Sequence, residues 1–138
     1  MKIVLDTNVL LMSLPVASPY RSIFDRIGKE EITLAINNEI LWEYEEILSV
    51  KTKPEIAFNV INYLLRLNSV ELYSSYYKFN LITADVDDNK FVDCAITSQS
   101  DYLVTNDKHF DVLKEIPFPK VNVISASNFL NIISNNEW

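Results

Sequence analysis

The chain has 138 residues, nearly half of them hydrophobic, and a formal charge of −7. That is enough apolar material for one buried core and too much for a disordered chain. The acidic balance argues against broad electrostatic wrapping of nucleic acid, but not against nucleic acid met through acids that gather divalent cations. The single cysteine Cys94, single glycine Gly28 and single histidine His109 leave no internal disulfide framework and no glycine-rich phosphate loop. They equally leave no zinc site built from Cys or His and no ordinary nucleophilic triad. No apolar run approaches a membrane span and the first residues lack a signal-peptide pattern, so a cytoplasmic protein without a membrane partner is expected.

In chain order, Ile3-Val4-Leu5 is a short apolar run that reads as a strand buried on both faces. It ends at Asp6-Thr7-Asn8, and in open α/β sheets ligands bind outside such strand ends. An Asp there can equally do no more than cap the next segment. Residues 22–27 have helical spacing and stop at Gly28, which suits a C′ position. Residues 32–36 read as a second strand. Asn37 or Asn38 then caps a helix to about Leu48, with Ile40, Leu41, Tyr44, Ile47 and Leu48 as its apolar stripe. Pro54 opens another helix, with Ile56, Val60, Leu64, Leu65 and Leu67 directed at the core. Residues 70–73 and 80–82 are short strand or loop candidates. Residues 89–98 are helical, with Phe91, Val92, Ala95 and Ile96 on one face. Residues 101–105 form a strand that ends at Asn106-Asp107, followed by a short helix over 108–113, a strand over 121–124 and a closing helix over 127–133. Strands alternating with helices predict one three-layer α/β/α domain over residues 1–138, with a central, mainly parallel sheet and right-handed crossovers.

Two predicted strand ends therefore carry aspartates, Asp6 and Asp107, which converge if their strands are neighbours. Between them lies Asp85-Val86-Asp87-Asp88-Asn89, just before a helix. Acids suit a helix start, yet one cap is enough, and neighbouring carboxylates repel unless they are solvated or share a cation. An EF-hand loop fails here, because Lys90 stands where Gly is needed and Ile96 where the bidentate Glu belongs. In the helix over 38–48, Glu39 and Glu46 lie opposite the apolar stripe while Glu43 and Glu45 flank it, and spacing does not choose between those two. At about a hundred degrees per residue, Asp88 extrapolates to the buried line of its helix and Asp93 to the wetter side. Hard oxygen ligands with no His or Cys suit Mg²⁺ or Mn²⁺. Lys51, Lys53, Lys90, Lys108 and His109 are candidates for phosphate contact.

Taken in order, these motifs resemble the PIN-domain family of metal-dependent ribonucleases. The strand ending Asp6-Thr7-Asn8 comes first, then Glu43 within Leu41-Trp42-Glu43-Tyr44-Glu45-Glu46-Ile47-Leu48. The acidic turn and helix over 85–95 follow, and last comes the strand ending Thr105-Asn106-Asp107. The wording is similar to the bacterial branch of toxin components of toxin–antitoxin systems. The resemblance implies a PIN-like fold and an endoribonuclease in which Asp6, Glu43, Asp88 and Asp107 bind Mg²⁺ or Mn²⁺. Asn8 and Thr105 would support them, and Asp93 is a secondary candidate. Hydrolysis of RNA would leave a 5′-phosphate and a 3′-hydroxyl, and a cognate antitoxin protein would be the partner. Where this chain has Asn106, the family usually has a small residue, often Gly. Similar members often dimerise, and Tyr20, Phe24, Tyr63, Phe129, Leu130 and Trp138 exceed what one small domain readily buries, so a homodimer is expected. The alternative is a catalytically degenerate PIN-like module that binds RNA or protein. A phosphoacceptor receiver needs a pair of acids after the first strand, where this chain has Asp6 followed by Thr7-Asn8, and an aspartate-nucleophile phosphatase needs a second Asp where Asn8 stands.

Overall fold

A computed structural model describes residues 1–74 and 77–135. Five strands make one sheet: β1 (Lys2–Leu5), β2 (Thr33–Ile36), β3 (Val70–Leu72), β4 (Tyr102–Val104) and β5 (Val123–Ile124). Their order is β3-β2-β1-β4-β5, with every pairing parallel. The helices are α1 (Thr7–Ser13), α2 (Arg21–Gly28), α3 (Asn38–Lys51), α4 (Pro54–Arg66), α5 (Asn89–Ser98) and α6 (Ala126–Ser134). Two 3₁₀ segments, Val86–Asp88 and Lys108–Glu115, complete the described elements.

Ile3, Val4 and Leu5 are fully buried, as an apolar run without alternation requires when both faces of a strand are covered. β1 is central because the chain steps from β1 through β2 to β3 on one side, then crosses back to β4 on the other. Right-handed crossovers place the connections through α1 to α4 on one face of the sheet and α5 on the opposite face. The sequence therefore reverses its winding between β1 and β4. A crevice opens at such a switch point, outside the carboxyl ends of the strands.

Tyr44 of α3 fixes that end of the sheet. Its ring is fully buried, and its hydroxyl donates to the carbonyl of Leu5 at 2.6 Å. Burial of the phenol pushes its pKa well up, so it stays a donor across ordinary pH.

Several local features depart from the sequence expectation. α1 starts immediately after Asp6; the apolar run hides this boundary, because Val9 and Leu10 continue into the core. Gly28 is the last residue of α2 rather than its C′, and the positive φ falls on Glu30. The missing side chain serves packing, since a Cβ at Gly28 would collide with the hydroxyl of Tyr63 on α4. The buried face of α4 is Ala57, Ile61 and Leu64, while Ile56 and Leu65, expected inward, are exposed. Counting bulky residues overlooked Ala57, which is fully buried. Residues 80–82 form no strand, although Ile82 is buried.

Of the apolar groups expected in excess, Phe24 and Phe129 are buried, Tyr20 and Leu130 half-buried and Tyr63 exposed; Trp138 lies outside the described residues. Large exposed apolar groups stand instead at Trp42, Phe58 and Phe118. No helix among the described residues is long and apolar enough to cross a membrane.

The Tyr44–Leu5 bond yields a stability prediction. Tyr44→Phe removes one buried hydrogen bond while keeping the ring, so unfolding should cost about 1–2 kcal/mol less. The urea midpoint should drop with an unchanged denaturant slope. An unchanged midpoint would show that the hydroxyl does not hold α3 to β1.

Candidate active site

Asp6 follows the last residue of β1 and occupies the N-cap position of α1. Its backbone carbonyl accepts from the amides of Val9 and Leu10 at 3.0 and 3.1 Å, but its carboxylate makes no capping bond. Instead Oδ2 accepts from the hydroxyl of Thr105, just past β4, at 2.7 Å. Asp6 is buried, only 7% exposed. Capping is thus accomplished by the backbone and leaves the carboxylate unexplained.

The same Thr105 hydroxyl accepts from the amide of Asp107 at 3.0 Å. Asp107 caps the 3₁₀ segment after it, Oδ1 accepting from the amide of His109 at 2.9 Å. This turn carries the imidazole back toward the cluster. His109 Nδ1 lies 3.2 Å from Asp88 Oδ2 and 3.5 Å from Asp107 Oδ1.

Glu43 sits beside the anchored Tyr44 and receives a hydrogen bond from the Thr7 hydroxyl on Oε2. Its other oxygen pairs with the ammonium of Lys90 at 2.8 Å. Asn37 ties these helices together: its side chain accepts from the amide of Ile40 at 2.8 Å and donates to the carbonyl of Lys90 at 3.2 Å. Glu45 is exposed, so the structure separates the two flanking glutamates. Asn8 is exposed on the first turn of α1, and it is Thr7 that reaches Glu43.

Asp88 closes the 3₁₀ turn before α5, its amide donating to the carbonyl of Asp85 at 3.1 Å. Asp85 caps that turn by accepting from the amide of Asp87 at 3.0 Å. One ligating atom from each of Asp85, Asp88 and His109 falls within 4.8 Å of the others. Asp87 is exposed. Sequence reasoning had His109 only as a phosphate contact and Asp85 only as part of the acidic turn. The signal for both was their nearness to Asp107 and Asp88, legible only once the 85–88 turn is known to face the end of β4.

Asp93 corrects the helical-wheel expectation of a wet side chain. It is 5% exposed and accepts from the amide of Phe79 at 3.1 Å, because residues 79–82 cover that flank of α5. The charges facing it are Glu39 and Lys78, not the cluster around Asp6. Asn106 reaches away from the crevice, its side-chain oxygen accepting from the amide of Ala126 at 3.0 Å at the start of α6. Lys51, Lys53 and Lys108 are exposed, while Lys90 is committed to Glu43.

The electrostatics follow from this crowding. Burial raises the Asp6 carboxyl above its ordinary range against the pull of the Thr105 hydrogen bond, and the charges of Glu43 and Asp107 add to the rise. Asp88 is pushed up to about 6, first by burial and then by Asp85, Asp107 and Asp6, with His109 opposing. His109 is raised in turn by its hydrogen bond to Asp88 and by Asp107. Carboxylate oxygens are the hard donors that Mg²⁺ or Mn²⁺ takes, and the described donors that come within 4.8 Å of one another are those of Asp85, Asp88 and His109, with Asp6 and Asp107 near enough to raise Asp88. The residues present therefore fit a divalent cation.

The model of a family described as the PIN domain matches residues 2–109, a span that includes Asp6, Glu43, Asp88 and Asp107. Among solved structures, a chain of VapBC2 from Rickettsia felis, crystallised bound to a DNA fragment from its promoter, has a similar fold. The likeness covers 91% of this chain and 98% of that one, with a TM-score of 0.63 at 21% identity. No curated protein matches the sequence.

The raised carboxyls predict how stability depends on pH. An acid near 6 in the fold and about 4 unfolded keeps its proton longer in the native state. Stability is therefore lost as pH rises from about 4 to about 6 and is flat above. His109 acts in a separate window: its stabilisation is complete below about 6.5 and is lost as pH rises further. The urea midpoint of the cation-free protein should fall across the lower window, and Asp88→Asn should make that fall shallower. An equally steep fall in the variant would assign the proton to another group.

Proposed function

The chain belongs to the PIN-domain family, and from that premise we propose that it is a divalent-metal-dependent endoribonuclease acting as the toxin of a toxin–antitoxin pair. The observation that carries this reading is the approach of Asp6, Asp88 and Asp107 at the switch point of the sheet, where burial and mutual repulsion raise Asp6 and Asp88. In this reading Asp6, Glu43, Asp88 and Asp107 hold Mg²⁺ or Mn²⁺, and the whole chain acts as one PIN-like domain.

When bound, such a cation supplies Lewis acidity toward phosphodiester oxygens and makes water a better nucleophile near neutral pH. The chain contributes orientation. Thr105 holds Asp6 and sets the amide of Asp107, while Thr7 and Lys90 hold Glu43 at the rim. His109 is largely exposed beside two carboxylates; its cationic form faces a phosphate arriving from solvent. A single-stranded RNA phosphodiester is the substrate class suited to an open rim.

The similar Rickettsia felis structure is of VapBC2 with promoter DNA, and by that analogy a cognate antitoxin protein is the proposed partner. The Lys90–Glu43 pair favours a second reading, since an ammonium already neutralises that acid. In it, the chain is a degenerate PIN-like module that binds RNA or protein without cutting.

Cleavage decides between the two. RNA should be cut with Mg²⁺ or Mn²⁺ and left intact with chelator. Asp6→Asn, Asp107→Asn and Asp88→Asn should each keep the fold and lose nearly all activity. The Asp88 side chain makes no capping bond to α5, so Asp88→Asn removes the charge at nearly constant volume and takes nothing from the start of the helix. Asp87→Asn should stay close to the parent. RNA bound but never cut by the parent protein would establish the second reading, and undiminished cleavage by the Asp6 and Asp107 variants would sink the site.

The homodimer remains part of the proposal, now motivated by exposed Trp42 and Phe58 on α3 and α4 rather than by Phe24 or Phe129. Light scattering at tens of micromolar should give twice the chain mass; a monomer would count against it.

A further inference from the structure

Two buried polar side chains of α5 have no place in the carboxylate cluster. Asn89, 6% exposed, spends both ends of its amide on one residue: Oδ1 accepts from the amide of Ile82 and Nδ2 donates to its carbonyl, each at 2.9 Å. One turn later Asp93 accepts from the amide of Phe79 at 3.1 Å. Residues four apart share a flank of a helix, so the two anchors stand in line.

What they hold is irregular chain. Residues 79–82 belong to no strand or helix, and buried backbone groups outside regular structure need partners from elsewhere. Here α5 provides them. Only residues 83–88 separate Ile82 from Asn89, and they include Asp85 and Asp88. The Asn89 side chain therefore ties the two ends of that turn together. With the tie in place, Asp88 immediately precedes its anchor, and its carboxylate meets His109 at 3.2 Å.

We propose that Asn89 and Asp93 are positioning residues: they pin residues 79–82 to α5 and so set the turn of Asp85 and Asp88 against Asp6, Asp107 and His109. In this role Asp93 acts as a hydrogen-bond acceptor, not as a ligand. The proposal rests on the metal-site reading for its consequence, but its geometry is testable without any cation.

His109 is the sole histidine, so its imidazole resonances report the place of Asp88 without ambiguity. At fixed pH and without cation, Asn89→Ala and Asp93→Ala should move those resonances toward the positions found in Asp88→Asn. Asp93→Asn, which keeps the acceptor, should leave them at the parent positions. By calorimetry the Kd for Mn²⁺ should rise about tenfold in both alanine variants, as for lost outer-sphere support of a ligand, and change little in Asp93→Asn. If Asn89→Ala does not fold, the two Asp93 variants decide alone. Equal losses in Asp93→Asn and Asp93→Ala would overturn the proposal, because the charge would then be what matters. So would unmoved His109 resonances in an alanine variant whose Phe79 and Ile82 amides exchange faster. If the parent protein bound no Mn²⁺ while the His109 resonances still followed the variants, the metal reading would fall and the anchors would stand.

Discussion

The parallel pairing of β1 with β4 governs where every group of the site comes to lie. Leu5 stands opposite Val104, and the amide of Asp6 continues the ladder by donating to the carbonyl of Val104 at 3.0 Å. The two strands therefore end level, and the first side chains beyond them, Asp6 and Thr105, meet at 2.7 Å. A slip of one residue would turn each side chain to the other face and separate that pair. Register is firmly set here because Ile3, Val4, Leu5, Leu103 and Val104 are all fully buried, so no slipped pairing leaves the core intact.

On that frame, the crowding of like charges is the constraint the rest of the crevice accommodates. Asp6 and Asp88 both lie above the ordinary carboxyl range, each through burial first and neighbouring acids after it. Cationic partners are kept to the edges: Lys90 beside Glu43 and the exposed His109 beside Asp88 and Asp107. The net charge of −7 thus gave little guidance, because position rather than sum decides whether an acid is a solvated surface group or part of a cluster.

The sheet was readable because its strands are short apolar runs and its aspartates fall where those runs stop. Period and polarity alone located Asp6 and Asp107. Glu43 was harder, since it and Glu45 flank the same stripe; spacing left the two level, the resemblance favoured Glu43, and in three dimensions the Thr7 hydroxyl of α1 reaches Glu43 while Glu45 is exposed. Asp93 was misread for the converse reason. A wheel places residues relative to their own helix, whereas residues 79–82 bury the flank that the wheel left open. The inward face of α4 was legible in part: Leu64 is buried and Val60 and Leu67 pack on the core, whereas Ile56 and Leu65 are exposed and Ala57, passed over in a count of large apolar groups, is buried. The pairing of His109 with Asp88 was not legible in the sequence, which offered His109 only as a phosphate contact, because it joins residues 21 positions apart through two irregular turns.

Asn106 shows how a departure from the family pattern is absorbed. A small residue at this position would leave the chain unencumbered between Thr105 and Asp107. Here the longer side chain turns away from the carboxylates and accepts from the amide of Ala126, one of the donors left unpaired at the start of α6. Ser125 caps the same helix by accepting from the amide of Asn128 at 3.1 Å, so two side chains share its free amides. The loop after β4 is thereby fastened on both sides. Thr105 holds it to Asp6 on one side and Asn106 holds it to α6 on the other. Oδ2 of Asp6, Oδ2 of Asp88 and Oδ1 of Asp107 each receive a contact from this loop or its 3₁₀ continuation. A carboxylate offers about four lone-pair sites, so one such contact orients the group without saturating it. The result is a set of acids fixed in direction and still able to accept, which is the condition a cation-binding crevice must meet before any cation arrives.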